Sequence, residues 1–263
     1  MIGFVISAVK IVFLLGFLIF IHEGGHFLVA KLCKVKVNEF AIGFGPTIWS
    51  KQGVETKYAL RLIPLGGFVS MEGEDKTSDA EGSFSKASIP KRIAIVVAGA
   101  IVNILFGLIV YFLLMSFAGN MTLSDGTALE DNFVNHIYNG AVKTGEFCTS
   151  IIDGLKSLVT EGLKLDQMTG IVGISDTVAA TNGIKQYIYI MALISVSLGV
   201  TNLLPIPALD GGKIVLLIIE AIRRKPLKQE TEAAITLIGF SLLIMLSVYV
   251  TYNDILRIFW KKS

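Results

Sequence analysis

Charge is scarce in this chain. Only 17% of its 263 residues are Asp, Glu, Lys or Arg, where soluble globular domains carry about 25%. The few charges also nearly cancel, 23 basic against 21 acidic for a net +2, so no basic field exists to attract nucleic acid and none is expected as a partner. Two cysteines exclude a disulfide scaffold. Six prolines and 26 glycines without a period exclude collagen and low-complexity disorder. Histidine is also scarce, at three. What the chain has instead is apolar surface: 53% of residues are hydrophobic and the mean hydropathy is +0.68. That balance belongs to an integral membrane protein.

Four stretches are long enough to cross a hydrocarbon core of roughly 30 Å, which takes about 20 residues: 1–30, 92–118, 186–212 and 232–253. The first lacks the basic start and small-residue cleavage site of a signal peptide, so it is expected to be retained. A further apolar run, 214–222, is too short to span and reads as an interfacial or re-entrant helix within 213–231. Basic residues crowd 31–91 (Lys31, Lys34, Lys36, Lys51, Lys57, Arg61, Lys76, Lys86, Lys91) and 213–231 (Lys213, Arg223, Arg224, Lys225, Lys228), whereas 119–185 is acidic. The positive-inside rule then makes the first and third connections cytoplasmic and the middle one external. Arg257, Lys261 and Lys262 at the C-terminus run against that assignment. Cys33 and Cys148 would lie on opposite sides and carry no functional expectation.

The chemistry concentrates in the first span, at His22-Glu23-Gly24-Gly25-His26. Ionisable groups inside a membrane helix are costly and mark function. Positions i and i+4 share a helix face, so both imidazoles can point at one metal ion. Neutral imidazole suits zinc, and Glu23 beside the first ligand can serve as a general base toward water. The alternative is a hydrogen-bonded polar cluster without a metal. Two histidines leave a catalytic zinc one protein ligand short. No third histidine follows closely, and His136, in the acidic connection, is expected to face solvent. Glu39 and Glu55 are possible donors in the basic loop. Asp210 is the better candidate, in Asn202-Leu203-Leu204-Pro205-Ile206-Pro207-Ala208-Leu209-Asp210-Gly211-Gly212. Two prolines two residues apart cannot continue a helix, so the third span must break there. Irregular backbone at membrane depth is tolerated only inside protein or beside a polar cavity. A lone Asp at such a break is a helix cap or a ligand.

These two motifs together closely resemble the site-2 protease family of intramembrane zinc metalloproteases, in its bacterial regulator-of-sigma-E protease-like branch. Further matches are Ile42-Gly43-Phe44-Gly45-Pro46, Ile63-Pro64-Leu65-Gly66-Gly67-Phe68-Val69, Ala98-Gly99 followed by Asn103, Leu163-Lys164-Leu165 and Thr169-Gly170-Ile171-Val172-Gly173-Ile174. The resemblance implies a membrane metalloendopeptidase with one catalytic Zn2+, held by His22, His26 and Asp210, with Glu23 as base. Asn202 matches a family position that assists the substrate or the developing oxyanion. The implied substrates are single-span membrane proteins such as anti-sigma factors, or signal-peptide remnants, met in the lipid bilayer of a bacterial cell membrane that the enzyme crosses several times. The implied fold is one domain over 1–263: a membrane all-α core of about four transmembrane helices, a small membrane-associated β-hairpin or sheet after the first, and a broken third helix.

The chain departs from the family in three places. Gly24 stands where a bulky apolar residue is usual, and Ala100 where a proline commonly follows Gly99. The external connection, 119–185, has no room for the PDZ domain that many bacterial members carry, because only 119–144 is free of family-like sequence and a domain needs about 50 residues. In the cytoplasmic connection, 54–71 mixes β-branched and aromatic residues with Pro64 and Gly66-Gly67, which reads as short strands. Those strands either cap the loop or offer an edge, at Leu60 or Leu62, to an unwound substrate. Two other classes compete: a metal or proton transporter using the buried His, Glu and Asp groups, and an inactive membrane scaffold.

Overall fold

A computed structural model of the chain describes residues 2–74, 78–162 and 168–262; the family-like Leu163-Lys164-Leu165 lies outside the described residues. In order, the elements are α1 (Ile2–Leu32), β1 (Val37–Gln52), β2 (Lys57–Met71), a 3-10 turn at Phe84–Lys86, α2 (Ile89–Phe117), α3 (Phe133–Thr160), α4 (Ile171–Ala179), α5 (Ile184–Asn202), α6 (Asp210–Arg223) and α7 (Gln229–Lys262). Among the described residues, four helices are long and apolar enough to cross a membrane: Val5–Leu32, Ile89–Phe117, Ile184–Asn202 and Gln229–Arg257. The all-α membrane core with a hairpin after the first helix is as the sequence leads one to expect.

Two compact units form within the chain. The first gathers Met1–Ile104 and Ser197–Ile244, and it holds every residue of the two motifs. Its core joins Ala30 of α1, Val37 of β1, Met71 of β2, Phe84, Ile95 and Val96 of α2, and Leu217 of α6. The amphipathic run 214–222 thus belongs to a helix that packs into this core on one side, with Ile218, Ile219 and Ile222 exposed on the other. Two ion pairs hold α6 in place: Arg92 of α2 with Glu220, and Glu74, just after β2, with Lys213.

β1 and β2 are longer than the short strands expected, because each bends rather than stops. Gly43 and Gly45 adopt φ of 89° and 82°, a region open to glycine at little cost. The bend leaves Glu39–Ile42 with partners on both sides, Ser70 to Gly67 on one and Lys57 to Leu60 on the other. Lys57–Leu60 is itself covered on its second side by Gln52 to Trp49. Leu60 is therefore interior, paired with both Ile42 and Trp49, and the expectation that it lies on an edge fails. The two outer rows are Trp49–Gln52 and Gly67–Met71. Phe44, Ile48, Trp49, Leu62 and Ile63 are exposed on the hairpin, an apolar surface that suits a membrane-associated sheet.

The second unit gathers Leu105–Val196 and Met245–Ser263. Here the acidic connection 119–185 is largely helical among the described residues. α3 starts at Asn132, whose side chain accepts from Asn135 N at 2.9 Å, an N-cap. It is tied to the end of α2 by Asn139, which donates to Met115 O at 2.8 Å, and by His136, which donates from Nδ1 to Ser116 O at 2.6 Å. His136 also contacts Asp131 Oδ1 at 2.7 Å, and its side chain is only 25% exposed, so it is engaged rather than free in solvent. The first turn of α4 is held by buried Asp254, which accepts from Gly170 N at 2.9 Å and Gly173 N at 2.8 Å. Thus Thr169–Ile174, one of the family-like segments, is a helix start locked by a carboxylate 81 residues beyond Gly173.

Candidate metal centre

α1 runs without interruption through Gly24 and Gly25, so the helical spacing places His22 and His26 one turn apart on a single face. Both are buried. The third span breaks as its prolines require: α5 ends at Asn202, residues 203–209 are irregular, and α6 begins at Asp210. Backbone close-packing fixes that loop. A side chain on Gly211 would lie 2.1 Å from Leu204 O, and one on Gly212 would lie 2.3 Å from Ile206 O. Ala208 takes φ of 75°, a left-handed conformation costly for a non-glycine residue and characteristic of functional sites.

The result is a three-atom cluster. Asp210 Oδ2 lies 3.2 Å from His22 Nε2 and 3.4 Å from His26 Nε2, and the two Nε2 atoms are 3.2 Å apart. Donors held about 2.0–2.1 Å from a tetrahedral zinc ion stand about 3.3–3.4 Å from one another. The triangle has the size of one face of that tetrahedron. Asp210 Oδ2 is buried and meets no hydrogen-bond donor in good geometry, an arrangement that a cation would satisfy and that is otherwise unfavourable. Among the described residues this is the one group of three or more His, Cys, Asp or Glu side chains that could hold a metal ion. Glu39 and Glu55, the other candidate donors, are occupied elsewhere: Glu39 pairs with Arg61 at 2.8 Å and Glu55 with Lys31 at 2.6 Å.

α2 supports the cluster from behind. His26 Nδ1 lies 2.8 Å from Ile95 O, which leaves Nε2 for the cluster. The ring fits because residue 99 is glycine; a Cβ there would sit 2.4 Å from His26 Nε2. Reciprocally, Gly25 lets α1 approach to where its absent Cβ would be 2.7 Å from Ala98 O. The neighbouring Gly24 has open space around it, with nothing within 4 Å of an added Cβ. α2 continues unbroken through Ala100.

Glu23 projects toward the hairpin. A Cβ on Gly67 would lie 3.0 Å from Glu23 Cγ and 3.0 Å from Ile19 Cγ2, so the outer row of β2 passes directly over this carboxylate side chain. Sequence reasoning finds the glycine pair in this strand but not what it makes room for. Asn202 stands at the last turn of α5, at the start of the irregular loop, half-exposed and without a hydrogen bond to the three cluster residues. A groove of about 590 Å³ opens beside Asp210, walled by Pro207, Lys213, Glu232 and Phe240 among others.

Comparison with known proteins agrees with the geometry. Residues 10–246 match peptidase family M50. A protein of Clostridium acetobutylicum named as a zinc metalloprotease is 30% identical over 323 residues, covering 91% of this chain and 94% of its own length. The regulator of sigma-W protease RasP of Bacillus subtilis is 26% identical over 420 residues, covering 97% of this chain and all of its own. A Streptococcus pyogenes protein, also named as a zinc metalloprotease, matches with the same identity and coverage. The His, His, Asp triangle with a glutamate beside it thus sits in a chain that belongs to peptidase family M50, the site-2 proteases, and is a membrane metalloendopeptidase.

Proposed function

We propose that this chain is a zinc-dependent intramembrane endopeptidase of a bacterial cell membrane that cuts single-span membrane proteins within or beside their transmembrane segments. Anti-sigma factors and signal-peptide remnants are the substrate classes that fit. The observation that carries the reading is the triangle of His22 Nε2, His26 Nε2 and Asp210 Oδ2, which matches a zinc face in size. The names of the relatives, zinc metalloproteases and a sigma-W regulator protease, support it.

In this reading His22, His26 and Asp210 hold the ion, which when bound supplies Lewis acidity toward water and the scissile carbonyl. Glu23 takes the proton of the attacking water and returns it to the leaving amine. Asn202 donates from its amide to the carbonyl oxygen as charge develops there. A regular membrane helix hides every amide in its own hydrogen bonds, so the substrate must open locally before it can react. The outer row Gly67–Met71 lies over Glu23 and provides backbone partners for an opened segment. The chain orients with 31–91 and 213–231 in the cytoplasm, by its charge distribution. The alignment with the 26%-identical relatives runs over 420 positions against 263 residues here. We place their additional length in the connection between α2 and α3, where a PDZ domain would stand. No observation favours the transporter or scaffold readings.

The test is a transmembrane reporter cleaved by purified protein, with zinc content measured in parallel. Glu23→Gln should retain zinc and lose at least about 100-fold in rate, the usual contribution of a general base. Asp210→Ala should lose zinc, while Asn202→Ala should keep zinc and lose kcat. Full cleavage by Glu23→Gln, or full zinc occupancy together with full activity in Asp210→Ala, would overturn the assignment.

A further inference from the structure

Asn103 is the only polar side chain between Arg92 and Tyr111 on α2, and it is fully buried. A polar amide buried in an otherwise apolar membrane helix is costly to keep unless it is used. Its amide nitrogen Nδ2 lies 3.4 Å from His22 Nδ1. The other nitrogen of that ring, Nε2, is committed to the cluster, 3.2 Å from both Asp210 Oδ2 and His26 Nε2. A neutral imidazole that ligates through Nε2 carries its proton on Nδ1, and a buried N–H requires an acceptor. Half a turn of the Asn103 amide presents Oδ1 to that proton.

We propose that Asn103 is a positioning residue of the metal centre, its amide oxygen accepting the Nδ1–H of His22 and so fixing both the tautomer and the orientation of that ligand. The inference rests on the metal reading above and adds a residue to it. Ile95, Gly99 and Asn103 follow one another at intervals of four on α2 and therefore share a face. Along this face α2 gives a backbone carbonyl to His26, leaves a gap for its ring, and sets the Asn103 amide against His22, where the half turn supplies a side-chain carbonyl. Each helical ligand thus has its own acceptor on the same neighbouring helix.

The experiment is zinc competition against a chelator on the purified full chain, with the absorption of the cobalt-substituted protein as a second readout. Asn103→Leu and Asn103→Ala remove the acceptor and should weaken zinc binding 10- to 100-fold, the range typical of lost outer-shell partners, with an altered cobalt spectrum. Asn103→Asp keeps an acceptor at the same position and should bind zinc within a few-fold of the parent. A role in packing alone predicts the reverse order, since Leu fills the site and a buried carboxylate disturbs it. Parent-like zinc binding in the Leu or Ala variant, or binding by the Asp variant as weak as theirs, overturns the proposal; if the Leu variant does not fold, the Ala and Asp pair decides. A parent chain that binds no zinc would overturn the metal reading itself, and this inference with it.

Discussion

Single glycines decide whether the ligand set can assemble. The distance of 2.4 Å between a Cβ added at Gly99 and His26 Nε2 is over 1 Å inside ordinary contact. In Gly99→Ala the His26 ring must therefore swing away from Asp210. Zinc affinity should fall at least about tenfold, consistent with the sensitivity of metal sites to ligand orientation. Gly24→Ala meets nothing within 4 Å; it should leave zinc affinity unchanged and stabilise α1 by up to about 1 kcal/mol, the helix-propensity difference. Chelator competition and thermal unfolding on the two variants would check this, and equal zinc affinities would contradict the account of the α1–α2 crossing. At this scale the sequence is readable wherever residues are linked by local spacing. His22 and His26 are tied by the helical repeat, and Asp210 by the two prolines that break the helix before it. Asn103 is 81 residues from His22 and has no periodic relation to it, so only the crossing of α1 and α2 reveals the pairing.

Strands show the same division between what is local and what is not. The glycines and Pro64 that punctuate 43–67 signal short strands; the hairpin is there, but its strands bend at those residues rather than stop. Which row would be an edge depends on β1 turning back at Gly43–Gly45, a long-range consequence that moves Leu60 inside and leaves Gly67–Met71 outside. If that outer row receives the substrate, prolines at Phe68 and Val69 should separate two effects, because consecutive amides of a strand point to opposite sides. One proline removes an outward donor: that variant should fold, keep its zinc, and lose rate, most of all on a Leu-rich span that resists opening. The other breaks the pairing with β1 and should destabilise the hairpin. Cleavage of Leu-rich and Gly/Pro-containing reporters by both variants, with zinc content and thermal unfolding, distinguishes them; two variants that cut like the parent would exclude strand pairing. α3 is also present in the sequence, as a helical repeat of Val134, Tyr138, Ala141, Cys148, Ile152 and Val159. The charges interleaved with it, Lys143, Glu146, Asp153 and Lys156, keep it below the hydropathy of a span, so hydropathy alone passes it over.

Stability of the molecule as a whole should carry a pH signature from the second unit. His136 uses both ring nitrogens, toward Ser116 O and Asp131 Oδ1, and only the imidazolium donates from both. The bond to the Ser116 carbonyl, and then the Asp131 carboxylate, raise its pKa above the ordinary value. A raised folded-state value means that the stabilisation is complete below the unfolded value of about 6.5 and disappears as pH rises through the folded one. His136→Gln should thus lower the unfolding temperature more at pH 5.5 than at pH 9. A difference between parent and variant that grows with pH would contradict the bonding described.

The open row over Glu23 has one more consequence. Backbone donors and acceptors left bare in hydrocarbon cost several kcal/mol each, and Gly67–Met71 has pairing partners on one side only among the described residues. Lipid cannot occupy its free side at rest. At membrane depth solvent would have to, which would bring the reagent of hydrolysis to the glutamate proposed to activate it before any substrate arrives. If that row receives the substrate as proposed, an incoming peptide would exchange water for amides one by one, so that wetting of the cleft and loading of the cleft would be a single equilibrium viewed from its two ends.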